Sequence, residues 1–424
     1  MKSLADWLAH LEGLHPKGQN GIELGLARVA RVKDELAQVP HCPVIIVGGT
    51  NGKGSTCAYL EQIYRAAGYR TGCYTSPHLL AYNERVKLDG EAVTDDRLCA
   101  AFARVEAARQ SAGDVSLTYF EFGTLAAWEV FAAANVEVLI LEVGLGGRLD
   151  AVNIYEPDCS IVTGIALDHT DWLGNTREAI GFEKAGIYRG GKPSVCADPE
   201  PPQSLLDHAS AIGADLRLIG RDFSATIEAN GWSFVSSAGT LADLPLPALR
   251  GECQLRNATA VLLTVECLQS RLPVGRNAMC QGLQAARLPG RFEVVGERPA
   301  VILDVGHNPQ AVGELARNLT TKPCSGRTLA VVGMLADKDI AGALTALEGR
   351  VDVWLVSGLD TPRGASASTL ADVVAGLGGD VLQFASPELA FAHAVGRAGE
   401  DDRIAAFGSF YTIAAVMRML AKRP

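Results

Sequence analysis

Short apolar runs bounded by glycine or polar turns recur at residues 44–47, 70–75, 136–143 and 160–167, with helix-like stretches between and after them. Runs of this length without polar alternation fit strands covered on both faces, so the pattern predicts βα units around a mainly parallel, buried sheet. After Gly54, Leu60, Ile63, Tyr64 and Ala67 fall at i, i+3, i+4 and i+7, and Gly68 supplies a stop. That spacing predicts a helix with one buried face. A second series of strands and helices begins at residues 300–305 and continues at 328–333, 351–357 and 403–407. The stretch 290–299, GRFEVVGERP, is polar and turn-forming, so the chain is divided near residue 296. The expected architecture is α/β throughout: a large N-terminal domain over residues 1–295 and a smaller Rossmann-like domain over 296–424.

The length of 424 residues excludes a single small module, and 48% hydrophobic with 20% charged residues excludes a disordered chain. Thirty-eight basic against 48 acidic residues leave a net charge of −10, which offers no chain-wide cationic surface for nucleic acid or anionic lipid. The first 16 residues carry Asp6, His10 and Glu12 within their apolar pattern and do not read as a secretory leader. No run of about 18 uninterrupted apolar residues predicts a membrane span. The ten cysteines form no Cys-x-x-Cys pair and lie mostly in apolar settings, as reduced core residues do. The expected location is the cytoplasm.

The sharpest local feature is VIIVGGTNGKGSTCAYL, a strand followed by Gly48, Gly49, Thr50, Asn51, Gly52, Lys53, Gly54 and Ser55 and then a helix. Glycines let backbone N–H groups turn towards an anion, the helix N-terminus adds partial positive charge, and a lysine reaches the outer phosphates. The match to Gly-x-x-x-x-Gly-Lys-Ser/Thr is imperfect. Val47 holds the first glycine position, and Gly54 replaces the hydroxyl residue after lysine. A Gly-rich turn with a solvated lysine is the alternative.

A triphosphate brings a cation, and strand ends are where an open α/β sheet gathers its ligands. Three residues occupy such ends: Ser76 in TSPHL, Glu142 closing VLILE, and His169 in ALDHTDW. Imidazole is an unusual magnesium ligand, so His169 taken alone reads equally as a hydrogen-bonded structural residue. Lys184 in GFEKAGI, beside Glu183, reads on spacing alone as part of a solvated helix face. Late in the chain, VILDVGHNPQAV sets Asp304, His307 and Asn308 after a strand. Pro309 suits a first helical position, and Val312, Leu315 and Leu319 supply an apolar face. This edge is either a site or a turn capped by Asn308.

Taken together, GTNGKGS, YTSPHL, TYFEFGT, EVGLGGRLDAVN, ALDHTDWLG, EKAGI, PGRFE and DVGHNP resemble the folylpolyglutamate synthase family of the Mur ligase superfamily, in particular its bacterial bifunctional branch. The resemblance implies a P-loop ATPase domain followed by a Rossmann-like domain, with the glutamate site at their interface. It implies an ATP-dependent amide ligase that joins L-glutamate to dihydropteroate and to reduced folates through an acyl phosphate. A polyglutamylating enzyme alone, and a nucleotide-binding module that makes no amide, are the competing readings. Thr50, Asn51, Gly52, Lys53, Gly54 and Ser55 would hold ATP, with Asn257 in LRNATA, Arg291 in PGRFE and Asp304 in DVGHNP. Ser76, Glu142 and His169 would bind magnesium, and a carbamylated Lys184 a second magnesium ion; a monovalent cation also belongs to the family's chemistry. Lys53, Glu142, His169, Lys184 and His307 would serve catalysis, His307 through glutamate or a proton. For the pteroyl substrate the matching positions are Glu23, Leu24, Gly25 and Leu26; Thr118, Tyr119, Phe120 and Glu121; and Leu149, Asp150 and Ala151. Tyr119 and Phe120 suit a flat ring but equally suit a core. A monomer is implied, with neither nucleic acid nor membrane as partner.

Overall fold

The computed structural model describes residues 2–16, 18, 21–36 and 39–422. It contains two compact units, one of Met1–Ala248 with Leu255–Ala286, the other of Leu249–Gln254 with Arg287–Pro424.

In the first unit, β1 (Val44–Gly48), β2 (Thr71–Tyr74), β3 (Val86–Leu88), β4 (Glu91–Ala92), β5 (Val138–Glu142), β6 (Cys159–Val162), β7 (Pro193–Cys196) and β8 (Asp215–Leu218) form one sheet. Its order is β4-β3-β2-β5-β1-β6-β7-β8. β1 lies between β5 and β6, parallel to both, with Val47 opposite Glu142 and Ile161. Only β3 and β4 run antiparallel to their neighbours. β1, β2, β5 and β6 are buried along their whole length, which is why they read as unbroken apolar runs. Their shared direction brings the loops after them to one edge. The sixth strand stops at Val162, so residues 163–167 of the apolar run leave the sheet and become part of that edge.

Helix Lys53–Ala66 follows β1 and ends before Gly68 at φ +92°. It is buried on more than the single face its spacing predicts, because helix Arg276–Ala285 closes on it. A Cβ at Gly282 would lie 2.5 Å from Ile63 Cα. A three-stranded antiparallel sheet of β9 (Phe223–Glu228), β10 (Gly231–Ser236) and β11 (Gly239–Leu244) completes the unit's strands.

The second unit holds β12 (Glu293–Glu297), β13 (Ala300–Asp304), β14 (Thr328–Val332), β15 (Val353–Ser357), β16 (Asp380–Phe384) and β17 (Arg403–Phe407) in the order β12-β13-β17-β14-β15-β16. All pairs are parallel except β12 with β13. The division expected near residue 296 runs through β12. That strand belongs with the second unit because it forms a hairpin with β13. Helix Pro309–Thr321 buries Val312, Leu315 and Leu319 in this unit's core, each worth about 1.5–3 kcal/mol of burial. Among the described residues no helix is long and apolar enough to cross a membrane.

Candidate active site

The loop after β1 runs close to Thr163 and to Asn257 only because two of its members lack a Cβ. At Gly49, with φ +137°, a Cβ would sit 1.9 Å from Thr163 Oγ1, and at Gly52, with φ +93°, 2.8 Å from Asn257 Oδ1. Thr50 N–H donates to Gly164 O at 2.6 Å. Its hydroxyl donates to Ala166 O at 3.1 Å and accepts from Ala166 N–H at 3.0 Å. Thr163 donates to Asn51 O at 2.7 Å. The segment beneath is itself held by Asp198, whose carboxylate accepts from Ile165 N–H at 2.7 Å.

Gly52 caps helix Lys53–Ala66 with no side-chain acceptor, so the first N–H groups and the positive end of the helix dipole face the loop. Lys53 Nζ donates to Gly49 O at 3.1 Å and Thr50 O at 3.3 Å, folded over the loop it would serve. The buried hydroxyls of Ser55 and Thr56 have no hydrogen-bond partner among the described residues. Such orphans in the first helical turn fit phosphate oxygen or a hydrated cation.

At the neighbouring strand ends, Ser76 N–H donates to Glu142 Oε2 at 2.9 Å. Glu142 is the last residue of β5 and only 5% exposed. His169 stands at φ +52° ahead of the short helix Thr170–Leu173, its N–H donating to Asp168 Oδ1 at 2.9 Å. Lys184 is 3% exposed, which corrects the solvated-face reading. Helix Arg177–Ala185 turns it inward, while Glu183 meets Arg148 at 2.7 Å. Burial pulls the Lys184 amine down to about 7; the charge of Lys53 acts in the same direction, and Asp168 and Asp150 oppose it. Asp150 is pushed up to about 6 by burial, against N–H donors from Leu145 at 2.8 Å and Val152 at 3.0 Å and the charge of Lys53. Lys53, Lys184, Asp150 and Asp168 therefore form one electrostatic cluster.

Among the described residues no three His, Cys, Asp or Glu stand together as a ready-made metal site. The Ser76 hydroxyl and the Glu142 carboxylate are hard oxygen donors. They fit a magnesium ion that takes most of its ligands from phosphate and water.

The three segments expected to meet the pteroyl group are joined to one another. Gly25 N–H donates to Leu149 O at 3.2 Å, and Arg28 binds both Glu23 and Glu121. Glu121 closes the capping box of helix Tyr119–Ala134. It accepts from Thr118 N–H at 2.8 Å while its own N–H donates to Thr118 Oγ1 at 3.2 Å. Tyr119 belongs to the core, 5.8 Å from the Tyr82 ring. Phe120 is half-buried, 5.9 Å from Tyr74 and pressed on Gly144, where a Cβ would come within 2.6 Å of its ring. Leu24 and Leu26 are also half-buried, and Ala151 is buried.

In the second unit, Asp304 at the end of β13 accepts from Phe292 N–H at 2.9 Å and Gly306 N–H at 2.7 Å. Burial raises its carboxyl, opposed by those N–H groups and by Arg291. Arg291 stacks over Phe410 at 5.3 Å. His307 Nδ1 lies 2.9 Å from Val305 O; a carbonyl only accepts, so Nδ1 carries the proton. Asn308 caps helix Pro309–Thr321 by accepting from Ala311 N–H at 2.9 Å.

Residues 47–265 match the Mur ligase middle domain and residues 290–410 the Mur ligase glutamate ligase domain. The chain is 46% identical over 421 residues to the dihydrofolate synthase/folylpolyglutamate synthase of Escherichia coli, covering 99% of this chain and 96% of that protein. The chain belongs to the dihydrofolate synthase/folylpolyglutamate synthase family. The Haemophilus influenzae member is 38% identical over 434 residues, covering 97% of this chain and 96% of its own. The fold matches E. coli FolC in complex with DHPP and ADP at a TM-score of 0.92 and 45% identity, covering 99% of this chain and 98% of that one. A bifunctional folylpolyglutamate synthase/dihydrofolate synthase with Mn, AMPPNP and L-glutamate bound matches at a TM-score of 0.90 and 47% identity, covering 99% of this chain and 98% of that one.

Sequence reasoning passed over Thr163, Asp168, Asp198 and Arg28. Asp168 adjoins His169 in LDHTDW and had a signal. Thr163, Asp198 and Arg28 had none, because each is placed by a bond to a partner 33 to 115 positions distant.

Proposed function

We infer that this chain is an ATP-dependent ligase that joins L-glutamate to dihydropteroate, making dihydrofolate, and to reduced folates, lengthening their glutamate tail. Family membership over 99% of the chain, with the phosphate loop intact, carries this reading. A carboxylate oxygen of the pteroyl substrate attacks the γ-phosphorus of ATP, and the bond to the β,γ-bridging oxygen breaks as ADP leaves. The neutral amine of glutamate then attacks the acyl carbon, inorganic phosphate departs with its C–O bond broken, and the nitrogen loses one proton.

Phosphoryl transfer of this kind needs positioning and charge neutralisation more than covalent chemistry. Thr50, Asn51, Gly52, Lys53, Gly54 and Ser55 supply backbone N–H groups, a hydroxyl and a cation to the phosphates. Asn257, beside Gly52, and Arg291 and Asp304 complete the nucleotide contacts in this reading. Ser76, Glu142 and His169 would hold magnesium, which neutralises charge on the phosphates. Carbamylation needs a neutral amine, and the depressed Lys184 amine supports it. The modified side chain would end in a carboxylate suited to a second divalent ion. Residues 23–26, 118–121 and 149–151 would line the pteroyl site. His307 would assist the glutamate amine. A monomer and a monovalent-cation requirement rest on the family likeness alone. Ten free cysteines support a reducing, cytoplasmic setting.

The test is ADP formation by purified protein with dihydropteroate, L-glutamate, ATP and magnesium, each omitted in turn, with dihydrofolate as product. In a second arm, ¹⁸O in the pteroate carboxylate should appear in the released phosphate. Turnover that ignores the pteroyl compound overturns the reading, and unlabelled phosphate overturns the acyl phosphate.

A further inference from the structure

We propose that Arg28 is a positioning residue that fixes the loop Glu23–Leu26 against the start of helix Tyr119–Ala134 and thereby sets the affinity for the pteroyl substrate. The inference rests on the pteroyl-site reading above and adds a residue outside its three segments.

The local sequence does little to rigidify the loop, whose main chain meets another pteroyl segment where Gly25 N–H donates to Leu149 O at 3.2 Å. The loop enters helix Ala27–Lys33, of seven residues, through Leu26, which offers no side-chain cap. Gly25 stands at φ +151° with open space where a Cβ would be, so the backbone there is permissive. Against this, Arg28 reaches back over the loop. One guanidinium nitrogen meets the Glu23 carboxylate; the other donates to Glu23 O at 2.8 Å and to Glu121 Oε1 at 2.9 Å. The second Glu23 carboxylate oxygen lies 3.3 Å from His15 Nε2.

The anchor at the far end is firm. The Glu121 side chain is 4% exposed, and its other oxygen is committed to the Thr118 N–H in the capping box. A guanidinium fork satisfies a main-chain oxygen and two carboxylates in one plane, which an ammonium on a flexible stem does not. Arg28 thus ties the main chain of one pteroyl segment to the side chain of another, 93 residues away in sequence. None of its contacts touches the phosphate loop, so its removal should act on one substrate only.

The experiment measures equilibrium binding of dihydropteroate and of AMPPNP, and KM for dihydropteroate and ATP, in wild type, Arg28→Ala and Arg28→Lys, alongside Tm. Arg28→Ala should weaken dihydropteroate at least tenfold in Kd and KM, with AMPPNP Kd and ATP KM within twofold. Arg28→Lys should fall between wild type and Arg28→Ala. It decides the matter if the alanine variant does not fold: a threefold or greater loss for dihydropteroate supports the proposal. Dihydropteroate binding within twofold of wild type in a folded variant overturns it, as does an equal loss for nucleotide. A wild-type protein that binds AMPPNP and no pteroyl compound sinks the parent reading instead.

Discussion

A Cβ on Gly49 would lie 1.9 Å from Thr163 Oγ1, inside any allowed contact. The same hydroxyl holds the loop down by donating to Asn51 O. Contact and anchor are one device, so enlarging the glycine lifts the loop off its support. Gly49→Ala adds strain at φ +137° to the collision, a combination worth about 2 kcal/mol or more. Tm should fall and ATP-dependent turnover should disappear. Thr163→Val removes the anchor without the collision and should raise KM for ATP, with about 1–2 kcal/mol lost. Gly49→Ala with unaltered turnover would contradict the geometry.

Among the described residues Lys53 hydrogen-bonds only to two loop carbonyls, at 3.1 and 3.3 Å, so Lys53→Ala should leave Tm within a few degrees of wild type. Glu142→Gln keeps an acceptor for Ser76 N–H and removes the charge. Both variants should lose ligation by roughly a hundredfold or more, the scale expected for a charge-stabilising group. Steady-state ADP release with all substrates, read beside circular dichroism, checks this. Near-normal release from either folded variant would count against the site.

The βα pattern was legible because parallel strands buried on both faces read as apolar runs, and because Gly68 and Pro309 punctuate helices by backbone chemistry that survives any context. The phosphate loop was legible for the same reason: its glycines answer a local steric demand. What escaped depends on distance in sequence. β9, β10 and β11 carry no clear alternation, since β9 and β11 have several exposed or half-buried positions of both kinds. The solvated reading of Lys184 failed because periodicity weighs polarity, whereas the buried amine has the opposing charges of Asp168 and Asp150 near it, 16 and 34 positions earlier in the chain. Glu121 is half-legible: Thr118 three residues earlier announces a capping box, but nothing local announces Arg28.

The Lys184 amine gives a pH signature. Its folded pKa of about 7 lies below the ordinary 10.5, so between those values the unfolded chain binds the extra proton. Stability should therefore rise with pH across that window and be flat below about 7, where the amine is protonated in both states. In CO₂-free, metal-free buffer, Tm should increase from pH 7 to 9, and Lys184→Met should reduce that slope. Added bicarbonate should alter the wild-type profile and leave Lys184→Met unmoved. Identical slopes in the two proteins would show that the amine does not titrate as described.

Asp304 joins two functions in one carboxylate. It accepts from Phe292 N–H and Gly306 N–H, and Phe292 sits at φ +44°, a conformation non-glycine residues seldom hold unaided. Arg291 precedes it, so the carboxylate that pins Phe292 also fixes where the guanidinium starts. Asp304→Ala leaves two buried N–H groups unpaired, about 1–3 kcal/mol each, and should lower Tm by several degrees. Asp304→Asn keeps one acceptor and should fold better, yet it cannot serve both N–H groups as acceptor and has no charge to balance Arg291. If Arg291 and Asp304 serve nucleotide, Asp304→Asn raises KM for ATP by about tenfold, roughly 1.4 kcal/mol, with KM for dihydropteroate little changed. A rise confined to dihydropteroate would reassign this edge of the second sheet to the other substrate.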